Sequence, residues 1–230
     1  MASNDSPTLD HPTGTPQEGD SSTEADEQLT AREAQDEILI EALASGMPYP
    51  DAGKLAAMLR TIAECPKPTI ARVQGDVYAG GMGLVAACDM AVSVDSAHFC
   101  LSEVKLGLVP ATISPYVIRA MGARAAHRYF LTAERFSAAQ ALRIGLVHEV
   151  VGADALDATV ADLVGALLGA GPNAVRQCKR LVQDVAERDI SRLLIERTVE
   201  GIADIRASDE GKEGVQSFLQ KRKPNWLTGS

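Results

Sequence analysis

Apolar residues are almost absent from positions 1 to 29, which are mainly Ser, Thr, Pro, Gly, Asp and Glu. A stretch of that kind cannot bury enough surface to offset its ordering entropy, so it reads as a disordered leader. Helical periodicity begins near Thr30 and is interrupted at Gly46-Met47-Pro48-Tyr49-Pro50. A clearer helix is predicted over 52–64, with Leu55, Met58, Leu59 and Ile62 on one face and Pro66 and Pro68 ending it. A short buried strand follows at 69–73, then a loop into a glycine turn, then a small apolar helix at 84–88.

Strands are predicted at 90–94 and 98–101, and helices at 114–121 and 123–132. Ser137 is placed to cap a helix over 138–144 that Gly145 stops, and 146–151 forms the last strand. From Ala153 onward the pattern is helical, in segments near 153–168, 172–187, 190–206 and 209–221. Strands alternating with helices, followed by helices alone, indicate an α/β core with a helical C-terminal region.

Charge sharpens this division. The whole chain carries −9, yet residues 1–41 hold eleven acids against Arg32 alone. The leader is therefore −10 and the remaining body +1, which gives no electrostatic footprint for nucleic acid. No run of eighteen apolar residues offers a membrane span, and the first residues carry neither a basic patch nor an apolar h-region. Cys65, Cys88, Cys100 and Cys178 make no C-x-x-C pair and are expected to be buried, reduced thiols of a cytoplasmic protein. No metal site and no separate cofactor are expected.

The candidate chemistry centres on Ala79-Gly80-Gly81-Met82-Gly83. Closely spaced glycines before an apolar helix bring backbone N–H groups, and the positive end of a helix dipole, close to a ligand. Gly75-x-x-x-x-Gly80 has the spacing of a phosphate loop, but Gly81-Met82 stands where Lys-Ser/Thr is required. Gly81-x-Gly83-x-x-Ala86 fits a dinucleotide fingerprint, yet Gln74 to Ala79 separate it from the strand and Glu103 lies beyond the next one. The remaining use is an oxyanion hole, in which the N–H groups hold a carbonyl oxygen as it becomes an enolate. That chemistry needs an acid/base nearby, and Glu103 can supply it. A glycine turn that only permits close packing is the non-catalytic alternative.

Three blocks carry a wider resemblance. They are Lys67-Pro68-Thr69-Ile70-Ala71-Arg72-Val73-Gln74-Gly75, Ala79 to Leu84, and Ala87-Cys88-Asp89-Met90-Ala91-Val92. Phe99-Cys100-Leu101-Ser102-Glu103-Val104-Lys105-Leu106-Gly107-Leu108-Val109-Pro110, Phe136 to Ala141, and Gly145 to Val151 extend it. Together they resemble the crotonase (enoyl-CoA hydratase/isomerase) superfamily, from about Ala52 to Trp226. The resemblance implies a crotonase-like ββα spiral core over 30–151 and a C-terminal helical trimerisation region over 152–230. It further implies a homotrimer or hexamer and acyl-CoA substrates, with coenzyme A part of the substrate. The oxyanion donor falls on Gly80 and the acid/base on Glu103, while Ala79, Gly81, Gly83, Pro110 and Tyr116 fall where substrate binds. The blocks Leu84 to Asp89 and Leu108 to Tyr116 look most like methylglutaconyl-CoA hydratases.

Two departures from the family pattern follow from the same comparison. Hydratases with two acids carry the second Glu three residues after the oxyanion glycine, where this chain has Gly83. Glu103 is then expected to act alone. Nothing in residues 1–51 matches the family's F-x-A-G-x-D turn, which supplies the other oxyanion N–H, so the core is expected to be N-terminally incomplete. Loss of one donor of that kind costs on the order of 10²–10³ in rate. The leading expectation is an enoyl-CoA hydratase or isomerase. The alternative is a catalytically impaired or truncated paralogue serving as an assembly partner, and a dinucleotide-dependent oxidoreductase ranks third.

Other polar residues read more simply. His98, His127 and His148 show no Ser–His–Asp spacing, and His11 lies in the leader. Asp89 begins a strand and is placed to bond local backbone. Lys105 and the run Lys221-Arg222-Lys223 read as solvated, although the first could face a carboxylated acyl group and the second CoA phosphates.

Overall fold

The computed structural model describes residues 49–228. The leader at 1–29 and the helical pattern expected from Thr30 to the Gly46 interruption lie outside the described residues.

The first helix, α1, spans Tyr49–Ala63 and starts earlier than expected, with Pro50 inside its opening turn, where a missing N–H costs nothing. Leu59 is fully buried, and Leu55 and Ile62 pack beside it. Met58, expected on the same face, is largely exposed. Next come strand β1 (Ile70–Val73), a two-residue strand β2 (Val77–Tyr78), helix α2 (Gly80–Ala87), β3 (Met90–Val94) and β4 (His98–Cys100). A 3-10 turn at Glu103–Leu106 leads toward α3 (Ser114–Thr132). Gly122 breaks α3 with φ 77° and ψ 153°, which separates two helical halves as the sequence pattern required.

Strand β5 (Phe136–Ser137) feeds α4 (Ala138–Arg143). The Ser137 hydroxyl accepts the Gln140 N–H at 3.3 Å, and Gly145 at φ 80° turns the chain away, so both ends follow the expected signals. Strand β6 (Glu149–Val151) precedes the helices α5 (Leu156–Gly169), α6 (Pro172–Val185), α7 (Arg192–Ala207) and α8 (Asp209–Leu219).

Two small sheets carry the core. One has the order β1-β3-β6, all parallel, with Ile70 opposite Met90 and Val92 opposite Glu149. The other has the order β2-β4-β5, in which β2 and β4 are parallel and β4 and β5 antiparallel. Val92 and Val94 of β3 share one buried cluster with Phe99 of β4, Leu101 just after it, and Val117 and Met121 of α3. Phe136 stacks on Phe99 at 5.7 Å between ring centroids and leans on Tyr129 at 4.1 Å.

Asp89 ties this core to the C-terminal helices. Its Oδ2 accepts from Thr69 N at 2.7 Å and Thr69 Oγ1 at 3.0 Å, which joins the start of β1 to the start of β3. The same oxygen receives Lys179 Nζ of α6 at 2.7 Å, and that ammonium also reaches the Lys67 carbonyl at 3.2 Å. Glu210 of α8 accepts two first-turn N–H groups of α6, from Asn173 at 2.9 Å and Ala174 at 2.7 Å, as a carboxylate at a helix N-terminus should. Among the described residues no single helix is long and apolar enough to cross a membrane.

Phe99 is fully buried and stacks on Phe136, so Phe99→Ala is expected to lower unfolding free energy by about 3–5 kcal/mol, as read by urea denaturation. Lys179→Met leaves Asp89 without its cation but with its Thr69 bonds, for an expected loss of about 2 kcal/mol in the same assay.

Candidate active site

Strands β2 and β4 run parallel, with Val77 opposite Phe99 and Tyr78 opposite Cys100. Their C-terminal ends therefore leave the sheet on the same side. Helix α2 follows β2 after the single residue Ala79, and the 3-10 turn that begins at Glu103 follows β4. Ligands of parallel sheets collect at this end of the strands.

The glycines are not a loop before the helix, as the sequence pattern suggested; Gly80, Gly81 and Gly83 belong to α2 itself. Ala79 makes the turn alone, at φ 45° and ψ −118°, a region an L-residue enters only at a cost of about 1–3 kcal/mol. Two hydrogen bonds hold it there: Ala79 N donates to Cys100 O at 3.0 Å, and Met82 N donates to Ala79 O at 3.0 Å. The Ala79 N–H is thus consumed by the sheet. The N–H groups of Gly80 and Gly81, in the first turn, have no carbonyl within the helix to meet. Among the described residues nothing would stand within 4 Å of a Cβ on Gly80, so they leave the space over that residue open.

Glu103 opens the 3-10 turn, and its backbone carbonyl accepts Leu108 N at 3.0 Å. Its side-chain Oε2 is buried and has no hydrogen-bond partner among the described residues. Burial pushes the carboxyl above the usual glutamate range, and a bond to its own backbone only partly opposes this. Such a group combines availability with a proton affinity suited to acid/base exchange.

The other sequence candidates fall into place unevenly. Pro110 is buried in the segment after Glu103, and Tyr116 is half-buried against the core. Gly83 is fully buried, and a Cβ there would stand 2.4 Å from Ile113 Cγ2. No carboxylate can stand at position 83 while Ile113 stays where it is. Arg222 is not free: both of its terminal nitrogens grip Glu213, at 2.6 and 2.7 Å, and this holds the Glu213 carboxyl down at about 2. His148 Nδ1 accepts the Ala91 N–H at 3.1 Å, and His98 Nδ1 lies 3.0 Å from the Ser96 carbonyl, so both rings serve the backbone.

Cys178 is exposed, contrary to the expectation of four buried thiols, because it faces the groove between α6 and α7. Cys65 and Cys88 are half-buried and Cys100 is buried. Burial raises the Cys88 and Cys100 thiols, which disfavours them as nucleophiles. Among the described residues no cluster of three His, Cys, Asp or Glu side chains could hold a metal ion.

The enoyl-CoA hydratase/isomerase family pattern matches residues 49–229. The chain belongs to the enoyl-CoA hydratase/isomerase family. It is 35% identical over 175 residues to the enoyl-CoA hydratase ACTT6 of Alternaria alternata, a match covering 74% of this chain and 58% of that one. Against a Legionella pneumophila protein assigned as an enoyl-CoA hydratase/isomerase (crotonase), the TM-score is 0.77 at 44% identity. That superposition covers 81% of this chain and 73% of the other. An enoyl-CoA hydratase of Shewanella pealeana gives 0.74 at 46% identity, covering 77% and 66%. The fold is therefore the crotonase fold. The chain spans about three-fifths of the length of the first curated relatives it matches, at 58% and 60%.

Because burial raises the Glu103 pKa, the folded chain keeps a proton that the unfolded chain has already released once pH passes the ordinary glutamate value. Stability falls as pH rises through that window and stays lower at neutral pH. Glu103→Gln is expected to raise the melting temperature at neutral pH, and the gain should vanish below about pH 4. Differential scanning calorimetry across pH reads both.

Proposed function

We propose that this chain is an acyl-CoA hydratase/isomerase acting on an enoyl-CoA thioester, with Gly80 as oxyanion donor and Glu103 as its one acid/base. The observation that carries this reading is the buried, partnerless Oε2 of Glu103, leaving the sheet on the same side as the open first turn of α2. An Oε2 with no donor among the described residues is poised for a proton that a ligand brings.

In hydration, Glu103 accepts a proton from water as the water oxygen bonds to the acyl β-carbon. The double-bond electrons move onto the thioester oxygen, where the Gly80 N–H steadies the developing charge. Glu103 then returns its proton to the α-carbon, and the enolate collapses. In the isomerase direction the same carboxylate takes a proton from one carbon and delivers it to another. Ala79 and Gly81 shape the oxyanion turn, while Pro110 and Tyr116 form the apolar side that receives the acyl chain. Coenzyme A enters as part of the substrate, and no further cofactor is required by this scheme.

The same reading covers the exposed apolar surface of the C-terminal helices with further copies of the chain, as a homotrimer or hexamer. Leu193, Ile195, Val199 and Ile202 of α7 are all half or more exposed, and no α7 residue is buried within this chain. Exposed apolar faces of that extent support association.

With crotonyl-CoA as probe, Glu103→Gln is expected to lower kcat by about 10²–10⁴-fold while circular dichroism stays unchanged. Turnover equal to the parent would refute the assignment. Analytical ultracentrifugation is expected to give a trimer or hexamer; a monomer at micromolar concentration would remove the assembly from the reading.

A further inference from the structure

The glycines of α2 are not equivalent. A Cβ on Gly80 would meet nothing within 4 Å, and one on Gly81 would lie 3.3 Å from Val77 Cγ1. A Cβ on Gly83 would stand 2.4 Å from Ile113 Cγ2 and 2.8 Å from Ile113 Cβ, with Leu59 Cδ1 at 3.4 Å. Gly83 lies within the helix, so what it supplies is room rather than an unusual backbone. The near atoms belong to the branched root of Ile113, not to a flexible tip, and so cannot swing aside.

Ile113 ends the segment that Glu103 begins. Between them the chain is knit by short-range bonds: Gly107 N to Val104 O at 3.2 Å, Leu108 N to Glu103 O at 3.0 Å, and Ala111 N to Val109 O at 2.7 Å. Ser114 closes it with a hydroxyl bond to Ala111 O at 2.7 Å. Leu106, Leu108 and Val109 are exposed, and the buried positions after Val104 are Pro110 and Ile113. The segment is thus two consecutive hydrogen-bonded turns, 103–108 and 109–114, with the Ile113 side chain of the second seated on α2.

We propose that Ile113, matched in size to the absent side chain of Gly83, is a positioning residue that sets how the Glu103 segment stands against the first turn of α2. This rests on the reading of Glu103 and Gly80 as the reacting groups. The pair also limits the chemistry: position 83 and Ile113 compete for one volume, so the second turn face of α2 stays apolar and Glu103 works without another carboxylate there.

Four proteins test this: the parent full chain, Gly83→Ala, Ile113→Ala and the double variant. The Glu103 titration is read by carboxyl-carbon NMR, its signal assigned from Glu103→Gln, and kcat and KM are measured with crotonyl-CoA. Each single substitution is expected to move the Glu103 midpoint down toward an ordinary glutamate as water reaches Oε2. Gly83→Ala is expected to lower kcat by about 10²-fold through misplacement, with KM changed by less than about threefold. The double variant, which restores the size match, is expected to recover most of both readouts.

A Glu103 midpoint unmoved in Ile113→Ala, or a double variant titrating no closer to the parent than Gly83→Ala, would overturn the proposal. If the titrations behave as expected while none of the four proteins turns over the thioester, the positioning role stands and the assigned reaction falls. Should Gly83→Ala not fold, Ile113→Ala and the double variant still decide the matter by titration.

Discussion

The hydrogen bond from the Ala79 N–H to the Cys100 carbonyl organises the site. It extends the parallel β2–β4 ladder by one step at the point where both chains are about to leave it. Ala79 must then turn within a single residue, which is why it sits at positive φ. The reversal puts the start of α2 on the side where β4 hands over to Glu103. A strained residue held by two bonds at a strand end is the kind of backbone outlier that accompanies function.

The second sheet and the aromatic stack hold this turn in place. Phe99 and Cys100 alternate along β4, so the residue that accepts the Ala79 bond adjoins one fully enclosed between Phe136 and the core. The Asp89 junction does the same for the first sheet, with one carboxylate oxygen collecting two Thr69 donors and the Lys179 ammonium. Its side chain and that of Lys179 are mostly sheltered, so the pair escapes much of the screening that weakens surface ion pairs.

Local signals were readable in the sequence where one residue determines the geometry. Ser137 and Gly145 bound α4, Gly122 breaks α3, and β3 spans the run of alternating small and branched residues expected of it. The family membership of the chain is likewise visible as ordered blocks. Strand β2 was not, because two residues carry no period. The start of α2 departs from the sequence pattern because glycine is a poor helix former, while Gly81 and Gly83 leave room for Val77 and Ile113 beside the helix. Partners far apart in the chain were also hidden. Lys179 lies ninety positions from Asp89, and the contact between positions 83 and 113 has no sequence signature at all. Nor is the enclosure of the half-buried Glu103 at its Oε2 legible, since its neighbours Lys105 to Val109 are exposed.

The vacant acceptor on Glu103 has a consequence for selectivity. An enclosed oxygen that no donor of the described residues meets carries unfavourable free energy, on the order of 1–3 kcal/mol for a group of this kind. A visitor that presents a hydroxyl or a water at that oxygen releases it; one that presents only carbon leaves it in place. Under the proposed function, discrimination by hydrogen-bonding capacity would come before any bond is made, and a β-hydroxy thioester would outbind its saturated counterpart through this single atom.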